Sequence, residues 1–104
     1  MPTQRQIHAF TAAFHQKAVA RLVDEPALAK RAIETLDRWQ AQRGPSAADA
    51  YLREWKALLA GDLGELHKTV CADDDHAATL RNTSPLGFVL TPAERQTLRN
   101  QSMS

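Results

Sequence analysis

His67 and Cys71 are the two side chains whose types and spacing come closest to a chemical site. They lie four residues apart, and three aspartates at 73–75 and then His76 follow. Structural zinc sites use paired, closely spaced Cys and His ligands, whereas this chain has one cysteine and no second pair. Acidic helix caps and a buried thiol account for the same residues. We therefore expect no metal site and no cofactor here.

Catalysis by a Cys71 thiolate with His67 as its base is the second chemistry to consider. Spacing along a helix supplies neither an oxyanion hole nor a third orienting group, and a buried single cysteine is usually inert. The four glycines, at 44, 61, 64 and 87, do not have the spacing of nucleotide-binding loops. His8 and His15 are seven residues apart and are expected to be polar edge residues of one helix. We therefore predict no catalytic residues and a protein that is not an enzyme.

Length and charge narrow the class further. The chain has 104 residues, the size of one domain, and 13 Lys and Arg against 12 Asp and Glu. The resulting net charge of +1 is too small to drive nucleic-acid binding by itself. A single cysteine, no signal-peptide pattern and no long apolar run predict a cytoplasmic protein with no membrane segment.

The elements that position these residues are predicted to be helices almost throughout. Capping pairs and prolines mark their starts, and apolar residues at spacings of three and four mark their buried faces. We expect three long helices, from Thr3 to about Val23, from about residue 26 to before Gly44, and from the Ser46 and Asp49 pair to Gly61. A fourth, of about ten residues, should follow Asp62 and carry His67 and Cys71. A fifth should follow the aspartates at 73–75, and the last should begin at Thr91. The predicted fold is an all-α bundle of five to six helices forming one domain over residues 1–104. Its core should come from the first three helices, with Ile7 on the buried stripe of the first and Phe10, Phe14, Leu36, Trp39, Trp55 and Leu59 at the centre.

The segment from Arg81 to Leu90 breaks the helical pattern. Pro85 pushes the residue before it out of helical geometry, and Leu86, Phe88 and Leu90 then alternate with their neighbours. This pattern predicts an extended apolar arm before the last helix, either a short strand or an irregular segment laid across a groove. The arm either closes the helical core of its own chain or enters a groove of a partner, with Phe88 and Leu90 as anchors.

DNA binding by a helix-turn-helix is an alternative, since the fourth and fifth predicted helices have the right size. The second of them would begin with three aspartates, which phosphates repel. Its base-reading candidates are His76, Thr79, Arg81 and Asn82. Arg95 and Arg99, four residues apart on the last helix, are candidates for phosphate contacts or for solvated surface. DNA binding is therefore not favoured, although a homodimer would pool basic surface.

Four segments together resemble a group of small helical bacterial proteins, over residues 15 to 95. They are Asp24-Glu25-Pro26-Ala27-Leu28, Asp37-Arg38-Trp39, Tyr51-x-x-x-Trp55-x-x-Leu58-Leu59, and Leu80-Arg81-x-x-Ser84-Pro85-Leu86-Gly87-Phe88-Val89-Leu90-x-x-x-Glu94-Arg95. The group is that of antitoxin-like partners in two-gene toxin-antitoxin modules. The resemblance implies a protein without catalysis that binds a co-encoded toxin enzyme and holds it inactive. This chain has few basic residues, which departs from what is expected of an antitoxin that binds operator DNA.

The functional expectation is a non-catalytic inhibitor that binds a partner protein through the arm and the last helix. The expected partner-binding residues are Arg81, Pro85, Leu86, Phe88, Leu90, Arg95 and Arg99. The alternatives are a dimeric DNA-binding transcriptional regulator and a phage or mobile-element inhibitor of a bacterial defence system.

Overall fold

The computed structural model describes residues 3–103, and these residues form an all-α bundle, as the sequence predicts. No strand occurs in this range, and no helix within it is both long and apolar enough to cross a membrane. The elements are α1 (Gln4–Asp24), α2 (Ala27–Arg43), α3 (Asp49–Ala60), α4 (Leu63–Val70), α5 (Asp75–Asn82), a 3-10 turn (Leu86–Phe88) and α6 (Pro92–Met103). Helix α1 contacts α2, α4, α5 and α6, so it is the central element of the bundle.

Side-chain caps set the starts of the first and last helices, where the predicted capping pairs Thr3–Gln6 and Thr91–Glu94 are confirmed. Thr3 Oγ1 accepts from the Gln6 N–H at 3.1 Å, and Gln6 Oε1 accepts from the Thr3 N–H at 2.8 Å. Thr91 and Glu94 repeat this reciprocal pair at 3.2 and 3.0 Å. Each pair satisfies two backbone donors that a helix start leaves without partners.

The predicted start of the third helix at Ser46 was wrong, because its N-cap residue is Ala48 and carries no side-chain cap, although Ser46 and Asp49 bond to each other just before the helix.

The two short helices begin on aspartates. The Asp62 side chain accepts from the Gly64 N–H at 2.7 Å, and among the three consecutive aspartates it is Asp74 that caps α5, accepting from the Ala77 N–H at 2.7 Å. Helix α4 ends at Val70, so Cys71 is its C-cap residue rather than a residue inside the helix.

The buried core is broader than the three long helices. Phe14, Leu36, Trp55 and Leu59 are buried as predicted, and Phe10 and Trp39 pack against this core as partly buried residues. Short elements contribute fully buried side chains as well, namely Leu66, Val70, Leu80 and Leu86. The prediction for Ile7 was wrong, because its side chain is 43% exposed near the start of α1.

The segment before the last helix is not the extended arm that the sequence predicts. Residues 86–88 form a 3-10 turn, and the Val89 N–H donates to the Leu86 carbonyl at 3.0 Å. Leu86, Val89 and Leu90 are buried in the core of their own chain. Their spacing of three and four places them on one side of a turn of helical backbone, which explains why the segment coils onto the bundle. Of the two alternatives for this segment, closure of its own core is the one observed.

A charged clamp fixes α6 against α1. The two guanidinium nitrogens Nη1 and Nη2 of Arg21 donate to the two carboxylate oxygens of Glu94 at 2.8 and 2.6 Å, and Nη1 also donates to the Val89 carbonyl at 3.1 Å. Lys17 Nζ lies 3.6 Å from the same carboxylate. The hydrogen bonds from Arg21 hold the pKa of Glu94 well below its usual range. The clamp thereby sets the position of the residues that follow Glu94 on α6.

Candidate functional site

Three arginines from α5 and α6 converge on one concavity beside α1. Arg81, Arg95 and Arg99 line a cavity of about 250 Å³, which we name the arginine cleft. Its remaining lining residues are Phe10, Thr11, Phe14, His15, Ser84 and Gly87. The cavity is smaller than the pockets of about 300–1,000 Å³ that hold drug-sized ligands. The arginine cleft therefore has room for a small ligand or for a few side chains of a partner.

The backbone and the aromatic rings hold the guanidinium groups in place. Nη1 of Arg81 donates to the carbonyls at the end of α4, those of Val70 at 2.7 Å and Ala72 at 3.0 Å. Nη2 of Arg95 donates to the Gly87 carbonyl. Cation–π contacts position two of the guanidinium groups against α1. The guanidinium of Arg95 lies 5.9 Å from the ring centre of Phe14, and that of Arg99 lies 5.4 Å from the ring centre of Phe10. The positive groups are therefore partly ordered before any ligand binds.

No carboxylate neutralises these arginines among residues 3–103. None of the residues that line the cleft is acidic, and the ion pairs of the described chain involve other cations. Glu94, the one acidic residue after position 76, is held by Arg21. Because guanidinium groups have a planar fork of donors that fits carboxylate and phosphate oxygens, the arginine cleft can bind an anion.

His15 forms part of the cleft wall and is 3% exposed, so its predicted role as a polar edge residue was wrong. Its Nδ1 lies 2.8 Å from the Thr11 carbonyl, which can only accept, so Nδ1 carries the proton and Nε2 is an acceptor. Burial lowers the pKa of His15 to about 4; the bond to Thr11 raises it, and the charge of Arg81 lowers it further. The imidazole is therefore neutral near pH 7.

The structure separates the seven residues predicted to bind a partner into three buried residues, one half-buried residue and three arginines. Pro85, Leu86 and Leu90 are buried in the core, so they cannot form an exposed contact surface in this fold. Phe88 is half-buried, with the guanidinium of Arg31 4.6 Å from its ring centre. The three arginines, in contrast, lie together on the arginine cleft.

The residues first considered for metal or thiol chemistry are engaged in other ways. Within residues 3–103 no group of three or more His, Cys, Asp or Glu side chains could hold a metal ion. Burial raises the pKa of the Cys71 thiol, which favours its protonated, less reactive form. His76 pairs with Glu54 at 2.8 Å, and this hydrogen bond raises the pKa of the imidazole.

Sequence reasoning did not assign the α1 side of the cleft. Phe10 and Phe14 were predicted only as core residues, yet both also line the arginine cleft. The signal available in the sequence was His15, a polar residue adjacent to the apolar stripe of a helix. A histidine at that position of the helix is consistent with a buried residue of a site as well as with an exposed residue at the edge of the apolar stripe.

Comparisons with protein-family models, with curated proteins and with solved structures found no match to this chain.

Proposed function

We propose that this protein is a non-catalytic binding protein that captures an acidic segment of a partner protein in the arginine cleft and holds that partner inactive. The observation that carries the proposal is the convergence of Arg81, Arg95 and Arg99 on one cavity lined by no carboxylate among the described residues. The arginine cleft replaces the apolar arm as the contact surface. The resemblance to antitoxin-like proteins favours a co-encoded enzyme as the partner.

A protein segment fits this surface better than DNA does. A duplex presents one phosphate charge per roughly 1.7 Å, so a DNA-binding surface needs an extended basic track. Here the basic groups occupy one small cavity, and residues 45–76 carry seven acidic and three basic side chains. Asp73, Asp74 and Asp75 are exposed at the start of α5, the helix that also carries Arg81. They would repel the phosphates of a duplex that extended from the cleft along α5, whereas a short acidic segment confined to the cleft does not reach them.

The proposal is tested by fluorescence anisotropy with the full chain and two labelled probes, a hexaglutamate peptide and a short DNA duplex taken from upstream of its own gene. We expect the peptide to bind and the duplex to bind weakly or not at all. Arg99→Glu should weaken peptide binding by about tenfold, or ~1.4 kcal/mol, because an exposed ion pair contributes up to about 1 kcal/mol and reversal adds repulsion.

Arg53→Glu is the matched control for this experiment. Arg53 is exposed on α3, does not line the cleft, and undergoes the same change of charge. Equal peptide affinities of the two variants would overturn the proposal. Tight binding of the duplex, steeply weakened between about 50 and about 200 mM salt, would instead support the dimeric DNA-binding regulator.

Inhibition of a partner requires a separate measurement. The product of the adjacent reading frame is expressed in cells with the wild-type chain, with Arg99→Glu or with Arg53→Glu. We expect wild type and Arg53→Glu to relieve any growth arrest and Arg99→Glu to relieve it poorly. Growth arrest that no version of the chain relieves would contradict the inhibitory role while leaving peptide binding intact.

A further inference from the structure

A second cavity adjoins the arginine cleft at the end of α5. It has a volume of about 130 Å³, and its lining residues include Trp39 and Arg43 of α2 and Leu52 of α3; we name it the Trp39 cavity. Ser84, which is partly exposed, lines both the Trp39 cavity and the arginine cleft. A ligand held in the arginine cleft therefore has a second concavity directly beside it.

A third, smaller cavity of about 70 Å³ connects the same two concavities. It shares Arg81 with the arginine cleft and Asn82 with the Trp39 cavity. All three cavities therefore border the last residues of α5 and the turn that follows them. The end of α5 is the centre of one composite binding surface.

The positive charge of this surface continues beyond the arginine cleft. None of the described residues that line the three cavities is acidic, although the chain has 12 Asp and Glu. Arg43 in the Trp39 cavity is exposed and takes part in none of the ion pairs within residues 3–103. An acidic segment that leaves the cleft past Ser84 thus meets another cation and no repelling carboxylate in the cavity walls.

The Trp39 cavity has the size and the walls to hold an aromatic side chain. An apolar cavity of about 150 Å³ is large enough for benzene, and the volume here is about 130 Å³. Trp39 is half-buried, and the guanidinium of Arg43 lies 5.7 Å from its ring centre. An incoming ring would contact both the indole and the cation, and such contacts are favourable beyond the apolar area that they bury.

Asn82 favours a peptide backbone between the two ends of the surface. It is exposed, and its side-chain amide makes no hydrogen bond within residues 3–103. The amide offers both donors and an acceptor, and every peptide unit except that of proline offers one of each. The phosphate groups of a nucleic-acid backbone, in contrast, only accept. Asn82 can therefore bond to a peptide chain in both roles.

We infer that the composite surface recognises an acidic segment with an aromatic residue next to its carboxylates. The carboxylates bind in the arginine cleft, the backbone passes Ser84 and Asn82, and the aromatic ring packs against Trp39 beside Arg43. This inference rests on the proposed function, since it names the kind of segment by which the partner is held. Trp and Arg are also the residue types that most often dominate the binding energy of protein interfaces.

The first test measures anisotropy of labelled peptides with the full chain. The peptides are hexaglutamate with one phenylalanine added at either end, and the same two peptides with serine in its place. We expect at least one phenylalanine peptide to bind about tenfold more tightly than its serine counterpart. Equal affinities, with hexaglutamate still weakened by Arg99→Glu, would overturn the inference and leave the proposed function standing. No binding of any peptide would overturn both.

Arg43→Gln and Arg38→Gln form a matched pair of variants for the Trp39 cavity. Both arginines are exposed on α2, but only Arg43 lines the cavity and contacts the Trp39 ring. Arg43→Gln should weaken the phenylalanine peptide about threefold, which is the size of an exposed cation–π contact, and Arg38→Gln should leave its affinity unchanged. Equal effects of the two substitutions would refute the placement of the aromatic ring.

The fluorescence of the wild-type chain provides a readout that needs no substitution. Trp55 is fully buried, so quenching by acrylamide reports mainly on Trp39, which is half-buried. The phenylalanine peptide should protect Trp39 from quenching more than the serine peptide does, and equal protection would refute the contact. A single-stranded oligothymidine that binds more tightly than the phenylalanine peptide would overturn the inference in favour of bases stacked on Trp39.

Discussion

Acidification should destabilise this protein through His15. The folded chain holds this imidazole neutral because it is buried, which lowers its pKa from 6.5 to about 4. Between these two values the unfolded chain binds a proton that the folded chain does not. Stability therefore rises with pH across this window, so the contribution is complete above about pH 6.5 and is lost as the pH falls towards 4.

The magnitude follows from the size of the shift. One pKa unit corresponds to about 1.4 kcal/mol, and a drop from pH 7 to pH 5 covers roughly 1.5 units of the window below the unfolded-state value. The free energy of unfolding should fall by about 2 kcal/mol over that interval, and by about 3 kcal/mol once the pH is below 4. For a domain whose total stability is about 5–15 kcal/mol, this is a large change.

Urea unfolding followed by the fluorescence of Trp55 and Trp39, both packed in the core, measures this dependence at several pH values. Wild type should lose about 2 kcal/mol between pH 7 and pH 5, and His15→Phe should lose much less. His76 has a raised pKa beside Glu54, so its contribution is present at low pH and lost as the pH rises. His76→Gln is therefore a control that removes the opposing trend. A free energy of unfolding that stays constant over this interval in His76→Gln, or an unchanged slope in His15→Phe, would show that His15 is not the source of the pH dependence.

Four further predictions concern the helices around the cleft. Leu86→Ala should lower the free energy of unfolding by about 2–5 kcal/mol in urea titrations, because the side chain is fully buried; a loss below about 0.5 kcal/mol would contradict its place in the core. Deletion of residues 85–104 should abolish cooperative unfolding seen by circular dichroism, whereas an intact helical signal would indicate that this segment is dispensable. Trp55→Phe should cost about 1–3 kcal/mol, because the indole N–H donates to a buried carbonyl of α5 at 2.8 Å; an unchanged thermal midpoint would count against that bond. Glu94→Gln should lower the thermal midpoint at neutral pH by weakening the Arg21 clamp and should matter little at strongly acidic pH, where the wild-type carboxylate is itself protonated.

Local sequence determined where α1, α4, α5 and α6 begin, whereas α2 and α3 start without a side-chain cap. The capping pair of Thr3 and Gln6 and that of Thr91 and Glu94 join residues only three apart, so the hydrogen bonds depend on a few backbone angles. Their energetics are set before any tertiary contact forms. The all-α fold class followed from the same signals together with the three- and four-residue spacing of apolar side chains.

The sequence did not determine the conformation of the segment around Leu86. Alternation at 86, 88 and 90 predicts an extended arm, whereas the residues at 86, 89 and 90 fit a turn of helical backbone. A short apolar run contains both patterns. Burial of Leu86 and Leu90 against the bundle selected the coiled form, because apolar area removed from water contributes about 25 cal/mol per Å².

Only the tertiary structure assembled the arginine cleft. Arg81, Arg95 and Arg99 were each singled out in the sequence, but their common site with His15 joins residues more than 60 positions apart. Packing of α1 against α5 and α6 brings them together. The low pKa of His15 also comes from that packing, since burial and the charge of Arg81 act through space. Capping is a property of neighbours in the chain, whereas an electrostatic site depends on distances that the completed fold alone sets.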